Sequence, residues 1–488
     1  MIKRLTSILL ACFLLLSGCN GINEGSSSPL NCTHADEDDN GACDLCSENV
    51  IVTVDVYNVN DLHGKIVDGN NHPGVDELSS YLQRCREKSE RMLLLSSGDM
   101  WQGTIESNMT GGRIVTDWMN EMDFAAMTLG EHEFGWGEEA IRENSNLADF
   151  PFLAINVYDR ETNQRVSYCQ SSTLVNCGAV QIGVIGAAGD FYSDISPDRV
   201  EDIYFKTGDE LTELIKEESR KLRTRGADFV ILSVHNGFDM EFYDISLSYG
   251  YVDLVFEGRT HQMYELQDEH GVTHMQGGGD NRGITHAKIA FNIVTGTHFL
   301  IDHVYLKTSV YDSMRSDPIV ETLLRKYEED IKPAKEVIGH NISNRDRKQL
   351  RQVVADQYLQ AGIEKWGRQY DIVLGGSLIP IYNPYELSAG DINYAMVFSL
   401  FPQDHQLMLC SIRGSDLADI FLDPEKTDYV YGLVDDRAII ADDTYYIVTD
   451  SYTFQQLSNC LTLLQRYDAD IFARDLLAEF IANGGFHN

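Results

Sequence analysis

Positive charge is scarce in this chain. Only 38 lysines and arginines stand against 76 aspartates and glutamates, a net charge of −38 over 488 residues. That balance argues against nucleic-acid binding and against docking on anionic lipid through a basic patch. A solubilising acidic surface is its simplest reading. Long apolar runs are scarce too: beyond the first twenty residues no segment is long and apolar enough for a transmembrane helix. The one apolar run, in MIKRLTSILLACFLLLSGCN, is too short to span a bilayer comfortably. Its basic start marks it as an export signal. The length exceeds what one ordinary core holds, so two or more domains are expected.

The signal ends in Leu16-Ser17-Gly18-Cys19, which resembles the bacterial lipobox and implies cleavage before Cys19 and lipidation of its thiol. The expectation is an exported, membrane-anchored lipoprotein on the extracellular or periplasmic side, with a plain secretory signal as the alternative. Export lets cysteines pair. Of ten, eight remain once Cys12 and Cys19 are set aside. Cys169 and Cys177, which bracket QSSTLVN, are candidates for a hairpin disulfide, as are Cys410 and Cys460 for a second bridge.

Residues 20–50 read as a flexible tether followed by the compact module CTHADEDDNGACDLCSE. Cys32, His34, Cys43 and Cys46 offer zinc ligands. Asp36, Asp38, Asn40, Gly41 and Asp44 match calcium-loop spacing, although the closing position is Ser47 with Glu48 one residue late. A disulfide-stapled spacer is the bland alternative. From 51 to 308, apolar runs such as IVTVDVYNV, RMLLLSS, QIGVIGAA, ADFVILSV and VDLVF predict buried strands, and DELSSYLQRCREKSE and GDELTELIKEESRKLRTRG predict helices. This is an α/β domain. A charged connector helix is expected over 309–336, ending near Pro333, and a second α/β domain over 337–488.

Five apolar runs in the first domain end in metal-ligand residue types. NDLHG supplies Asp61 and His63, SGDMWQG supplies Asp99, and GEHEFGWG supplies Glu131, His132 and Glu133. SVHNG supplies His235, and EGRTH supplies Arg259 and His261. One such residue would be a turn cap; five strand ends in one domain point to a metal centre. Carboxylates and imidazoles suit Zn²⁺, Mn²⁺ or a similar ion. Two ions about 3.5–4 Å apart, bridged by a carboxylate, suit phosphate-ester hydrolysis.

In this order the blocks resemble the calcineurin-type metallophosphatases, specifically the bacterial 5′-nucleotidase branch. The likeness runs from about Val52 to near Tyr452. It implies a layered metallophosphatase β-sandwich flanked by helices plus a C-terminal α/β domain. It further implies Asp61, His63 and His261 around one divalent ion, with Asp99 bridging to a second ion held by positions 131, 235 and 259. His132 would be the catalytic imidazole near the phosphate, and Phe401 and Tyr452 would match the pair that stacks a nucleobase. Glu133 would only pack or orient.

Three positions depart from the family pattern. Glu131 stands where the family has Asn, Arg259 where it has a metal-binding His, and Gly135 where it has the Asp that pairs with the catalytic His. Arg259 cannot ligate a metal. An ion pair between Glu131 and Arg259, at hydrogen-bonding distance, would put a fixed positive charge near the second ion's place, with Arg259 acting on the phosphate. His132 would lack an orienting partner. The implied function is metal-dependent hydrolysis of phosphate esters, most of all nucleotides, with one or two ions bound. The alternative is a ligand-binding surface lipoprotein with a decayed site.

Overall fold

A computed structural model of the chain describes residues 34–486 apart from 39, 46–48, 70–71, 190, 192–194, 196–198, 237–249, 269, 383–385, 422–429, 434–437 and 469–470. The signal sequence with Cys19, and the candidate zinc ligands Cys32 and Cys46, lie outside the described residues. Residues 53–291 and 298–488 form one compact unit; the described part of 34–52 forms another with 292–297.

Two six-stranded sheets build the first part of the large unit. One runs, in spatial order, His298–Lys307, Gly283–Asn292, Ile51–Val59, Met92–Ser96, Ala126–Thr128 and Phe152–Leu153. The other runs Met263–Gln267, Thr273–Gly277, Leu254–Glu257, Phe229–His235, Val180–Ala188 and Ser172–Cys177. The central strands of each are parallel, which explains their near-continuous apolar sequence: both faces are buried. The sheets meet face to face, with the Ser97 and Ser233 hydroxyls 3.0 Å apart and the Thr128 hydroxyl donating to Ser233 Oγ at 2.8 Å. Helix Asp76–Lys88 crosses between the first two strands, with acids in its first turn and bases in its last. Helix Gly208–Thr224 does the same for the other sheet, burying Leu211, Ile215 and Leu222.

The segment expected as a connector forms two helices, Ile319–Lys326 and Glu328–Lys335. The second ends at Lys335, two residues past Pro333, close to the expected stop. Val320, Leu323, Tyr327 and Ile331 join the main core, and Tyr327 donates to Asp117 at 2.6 Å. Beyond them, a five-stranded sheet runs Val430–Leu433, Ile372–Ser377, Thr444–Asp450, Leu407–Arg413 and Thr462–Arg466. Helix Arg347–Trp366 packs on it through Leu350, Val354 and Tyr358. Asp346 and Gln349 cap that helix reciprocally.

Two expectations change here. Cys169, Cys177, Cys410 and Cys460 are free thiols. Cys177 faces Val180 across its hairpin, while Cys169 turns into the core toward Ala154. Cys410 faces Ile447 and Leu463 within the sheet. In the smaller unit, Asp36, Asp38 and Asp44 gather as the calcium-loop spacing expects, and each also accepts a hydrogen bond. Asp36 takes the backbone N–H groups of Asn40 and Gly41 and the Asn292 amide. Asp44 takes Glu37 N–H, and Asp38 takes the Asn40 amide. These bonds close the loop as Asx-type turns do. Among the described residues no helix is long and apolar enough to cross a membrane.

Candidate active site

The carboxyl ends of the parallel strands of both sheets converge, the position where open α/β sheets hold their ligands. Each candidate side chain sits within four residues of such an end: Asp61 and His63 after Val59, Asp99 after Ser96, Glu131 and His132 after Thr128. His235 ends its own strand, and Arg259 and His261 follow Glu257. Close approach needs glycine at the tips. A Cβ on Gly258 would lie 2.5 Å from His235 Nδ1, and one on Gly130 would overlap the Asp99 carboxylate.

Asp61, His63 and His261 bring one ligand atom each within 4.8 Å of one another, as do Asp61, Asp99 and His235, and also His63, Asp99 and His132. His63 Nε2 lies 2.9 Å from His261 Nε2, and the latter 3.4 Å from Asp61 Oδ1. His235 Nε2 lies 2.9 Å from Glu131 Oε2 and 3.1 Å from Asp99 Oδ2. Neither contact has hydrogen-bond geometry, and both His235 Nε2 and Glu131 Oε2 are buried. The far sides of the His235 and His63 rings are anchored. His235 Nδ1 faces the Ser97 carbonyl at 2.5 Å and His63 Nδ1 the Gln102 carbonyl at 3.2 Å. A carbonyl on Nδ1 fixes the tautomer that offers the Nε2 lone pair to the cluster.

The electrostatics match. Burial, with the neighbouring imidazoles of His132 and His261, holds the His63 pKa down to about 3. Burial also works against charge on His235, yet the Asp99 and Glu131 carboxylates outweigh it and raise that pKa well above the ordinary value. Three carboxylates thus crowd a dry site with lone pairs pointed inward. That donor set fits a divalent cation of the zinc or manganese type.

Glu133 does more than pack. Fully buried, its carboxylate accepts from the backbone N–H groups of Asp99, Met100 and Gly130 at 2.8 Å each and of Trp101 at 3.3 Å. It staples the Asp99 loop to the Glu131–His132 turn. Burial and the Asp99 charge push its pKa up to about 7 against the pull of those donors.

At the altered positions, Arg259 Nη1 stands 3.7 Å from Glu131 Oε2. This is an ionic contact, longer than the hydrogen bond expected from the sequence, because Glu131 turns toward His235 and the guanidinium lies over the Phe191 ring, 5.2 Å from its centroid. The Arg259 backbone N–H holds both oxygens of Asp61, at 2.9 and 3.0 Å. The expected gap beside His132 is filled: its Nδ1 lies 2.6 Å from Gln102 Oε1. Sequence reasoning missed Gln102, although it stands inside the Asp99 block. It also missed Asp404 and Arg474, which hold Gln102 and carry no local signal.

A cleft of about 780 Å³ opens over these groups, lined on one side by His63, Glu131, His132 and His261 and on the other by Tyr382 and Phe398. Phe401 does not reach it. That ring is 2% exposed and sits in the core under helix Tyr394–Leu400, so the stacking role expected for it fails on burial. Tyr452 borders a smaller cavity with Arg347 and Arg351.

No family model matches the chain. It is 29% identical over 221 residues to the snake venom 5′-nucleotidase of Crotalus adamanteus, a match covering 42% of this chain and 36% of that protein. It is 24% identical over 379 residues to protein UshA of Yersinia enterocolitica, 67% of each. The chain thus spans little more than a third of the venom relative's length. Among solved structures, the 5′-nucleotidase precursor of Thermus thermophilus superposes with a TM-score of 0.64 at 14% identity, covering 88% of this chain and 96% of that one. The 5′-nucleotidase of Candida albicans gives 0.57 at 14%, covering 88% and 98%. Fold and sequence agree: the chain is similar in sequence to 5′-nucleotidases and shares the calcineurin-like metallophosphatase fold of their bacterial members.

Proposed function

We propose that this chain hydrolyses phosphate esters, nucleotides foremost, at the cleft over Asp61, His63, Asp99, Glu131, His235 and His261. The carrying observation is the convergence of three imidazole Nε2 atoms on buried carboxylates, with the Nδ1 sides of His63 and His235 held by backbone carbonyls. Asp61, His63 and His261 would hold one divalent ion, and Asp99, Glu131 and His235 the place of a second. Such an ion supplies Lewis-acid polarisation of phosphoryl oxygens and a lowered pKa for attacking water. The chain's own groups do the rest. His132, on the cleft wall, would in its protonated form hydrogen-bond the phosphate or give a proton to the leaving oxygen. The Arg259 guanidinium offsets the carboxylate charge and can take phosphate oxygens in a forked contact. Tyr382, 37% exposed on the opposite wall, offers an aromatic face for a base in place of Phe401.

The same reading assigns residues 51–308 to a metallophosphatase domain and 337–488 to a substrate domain, and places the mature chain outside the cytosol on a lipid at Cys19. The test is phosphate release from AMP and other nucleoside monophosphates by the purified chain. Chelation should abolish release, and Mn²⁺ or Zn²⁺ restore it. Metal and nucleotide binding without release from any ester would replace this reading with ligand binding alone, which the Arg259–Glu131 contact favours as the second reading.

A further inference from the structure

Gly135 carries a backbone that any residue adopts, with φ −55° in the right-handed helical region, so its lack of a side chain is not conformational. It is steric. A Cβ there would meet Gln102 Oε1 at 2.6 Å, Nε2 at 3.0 Å and Cδ at 3.1 Å. All three of the nearest atoms belong to one side chain, and that side chain contacts His132.

The orientation of the Gln102 amide follows from its other neighbours. Arg474 is 4% exposed. It pairs with one oxygen of Asp404 and also donates to the Gln403 carbonyl at 2.9 Å and to Tyr394 Oη at 3.1 Å. The guanidinium has donors only, so the Asp404 oxygen facing it accepts. The second Asp404 oxygen takes the Gln102 N–H group. Gln102 Oε1 is left facing His132 Nδ1 at 2.6 Å and accepts its proton. The neutral His132 ring then carries hydrogen on Nδ1 and presents a bare Nε2.

Resting on the hydrolase reading above, we infer that Gln102 is the positioning residue for His132, held by the Asp404–Arg474 ion pair and admitted by the missing side chain at Gly135. An amide from another loop replaces a carboxylate three residues along the same turn. The fixed charge that sets the tautomer sits some 300 residues away in sequence, at Asp404. Unlike a carboxylate, the amide orients the ring without adding a negative charge beside a site already crowded with three.

The test uses the full chain with ¹⁵N-labelled histidine. The His132 resonances are assigned by their loss in His132→Gln, and the tautomer is read from long-range proton–nitrogen correlations with the ring neutral. The wild type should show Nδ1–H at His132, and Gln102→Ala should shift the ring to a mixture with Nε2–H. The double variant Gln102→Ala with Gly135→Asp, in which the removed amide clears room for the new carboxylate, should recover the Nδ1–H signature. In phosphate release, Gln102→Ala should lower kcat by roughly 10- to 100-fold with KM little changed, and the double variant should regain most of it. An Nε2–H ring in the wild type, or an unchanged signature in Gln102→Ala, overturns the inference. The expected signatures with no phosphate release from any ester would uphold the positioning and overturn the hydrolase reading instead.

Discussion

Glu133→Gln tests whether one buried carboxylate holds two ligand loops together. Oε1 accepts from Met100 and Trp101, and Oε2 from Asp99 and Gly130. The glutamine amide keeps one acceptor and turns an NH₂ group toward the other pair of N–H donors, so two hydrogen bonds to a charged acceptor are lost. At about 1.5–3 kcal/mol each the gross loss is roughly 3–6 kcal/mol, and burying an amide rather than a charge returns part of it. A net destabilisation of about 2–4 kcal/mol is expected, within the 5–15 kcal/mol that typical chains hold. Urea unfolding of metal-free protein well above pH 7, where the Glu133 carboxyl with its pKa of about 7 is ionised, followed by circular dichroism, measures it without ligand linkage. Calorimetric titration with Mn²⁺ should show weakened binding, since Asp99 and Glu131 lie on the two unhooked loops. Glu133→Asp separates charge from reach: it keeps the charge but is one methylene short, and should lose a similar amount. A change under about 1 kcal/mol in both variants, with metal affinity intact, would refute the staple.

Four further outcomes follow from the geometry. Glu131→Asn with Arg259→His, which removes the ionic contact at 3.7 Å, should raise the divalent ions bound per chain by about one, by elemental analysis; an unchanged count would show that Arg259 does not occupy the second ion's place. Chelation should lower the melting temperature, because an ion at 100 times its Kd stabilises by about 2.7 kcal/mol; identical melting with and without Mn²⁺ would contradict a metal centre there. Gly258→Ala, with its Cβ 2.5 Å from His235 Nδ1 and 2.7 Å from the Ser97 carbonyl, should cost about 1–3 kcal/mol and weaken metal binding. His405 is the pH probe. Burial holds its pKa down to about 3, so between that value and the unfolded one near 6.5 the unfolded chain binds the extra proton. Stability falls as pH drops through that window, by up to about 1.4 kcal/mol per unit. His405→Gln should flatten the slope in urea midpoints between pH 4 and 6, and an equal slope would clear His405 of it.

The strands were legible because apolar runs such as FVILSVH and VDLVF end abruptly at polar tips, and the helices because their charges follow the dipole. The ligand set was legible for the same reason: parallel strands gather their ends. What failed needed knowledge of distant neighbours. Phe401 matches a cleft aromatic in sequence, but it caps the end of its helix and packs into the core. Cys169 and Cys177 are spaced for a bridge, yet the hairpin register gives Cys177 to Val180. Gly135 is a loss in sequence alone; in the fold Gln102 fills its space, and Gln102 depends on Asp404 and Arg474 in a segment with no recognisable motif.

Asp61, His63, Asp99, Arg259 and His261 all hold left-handed backbone, with φ between 49° and 83°. Each such residue costs roughly 1–3 kcal/mol that glycine would not. Together they make this end of the sandwich the place where folding and chemistry pull in opposite directions. Glycine at these positions should relax the loops, with a gain in melting temperature wherever a lost side-chain bond does not offset it, and with ligands lost one by one. A library of this chain sorted for thermal resistance alone would therefore drift toward an empty scaffold, and only a sort that also demands metal would keep the five side chains in place.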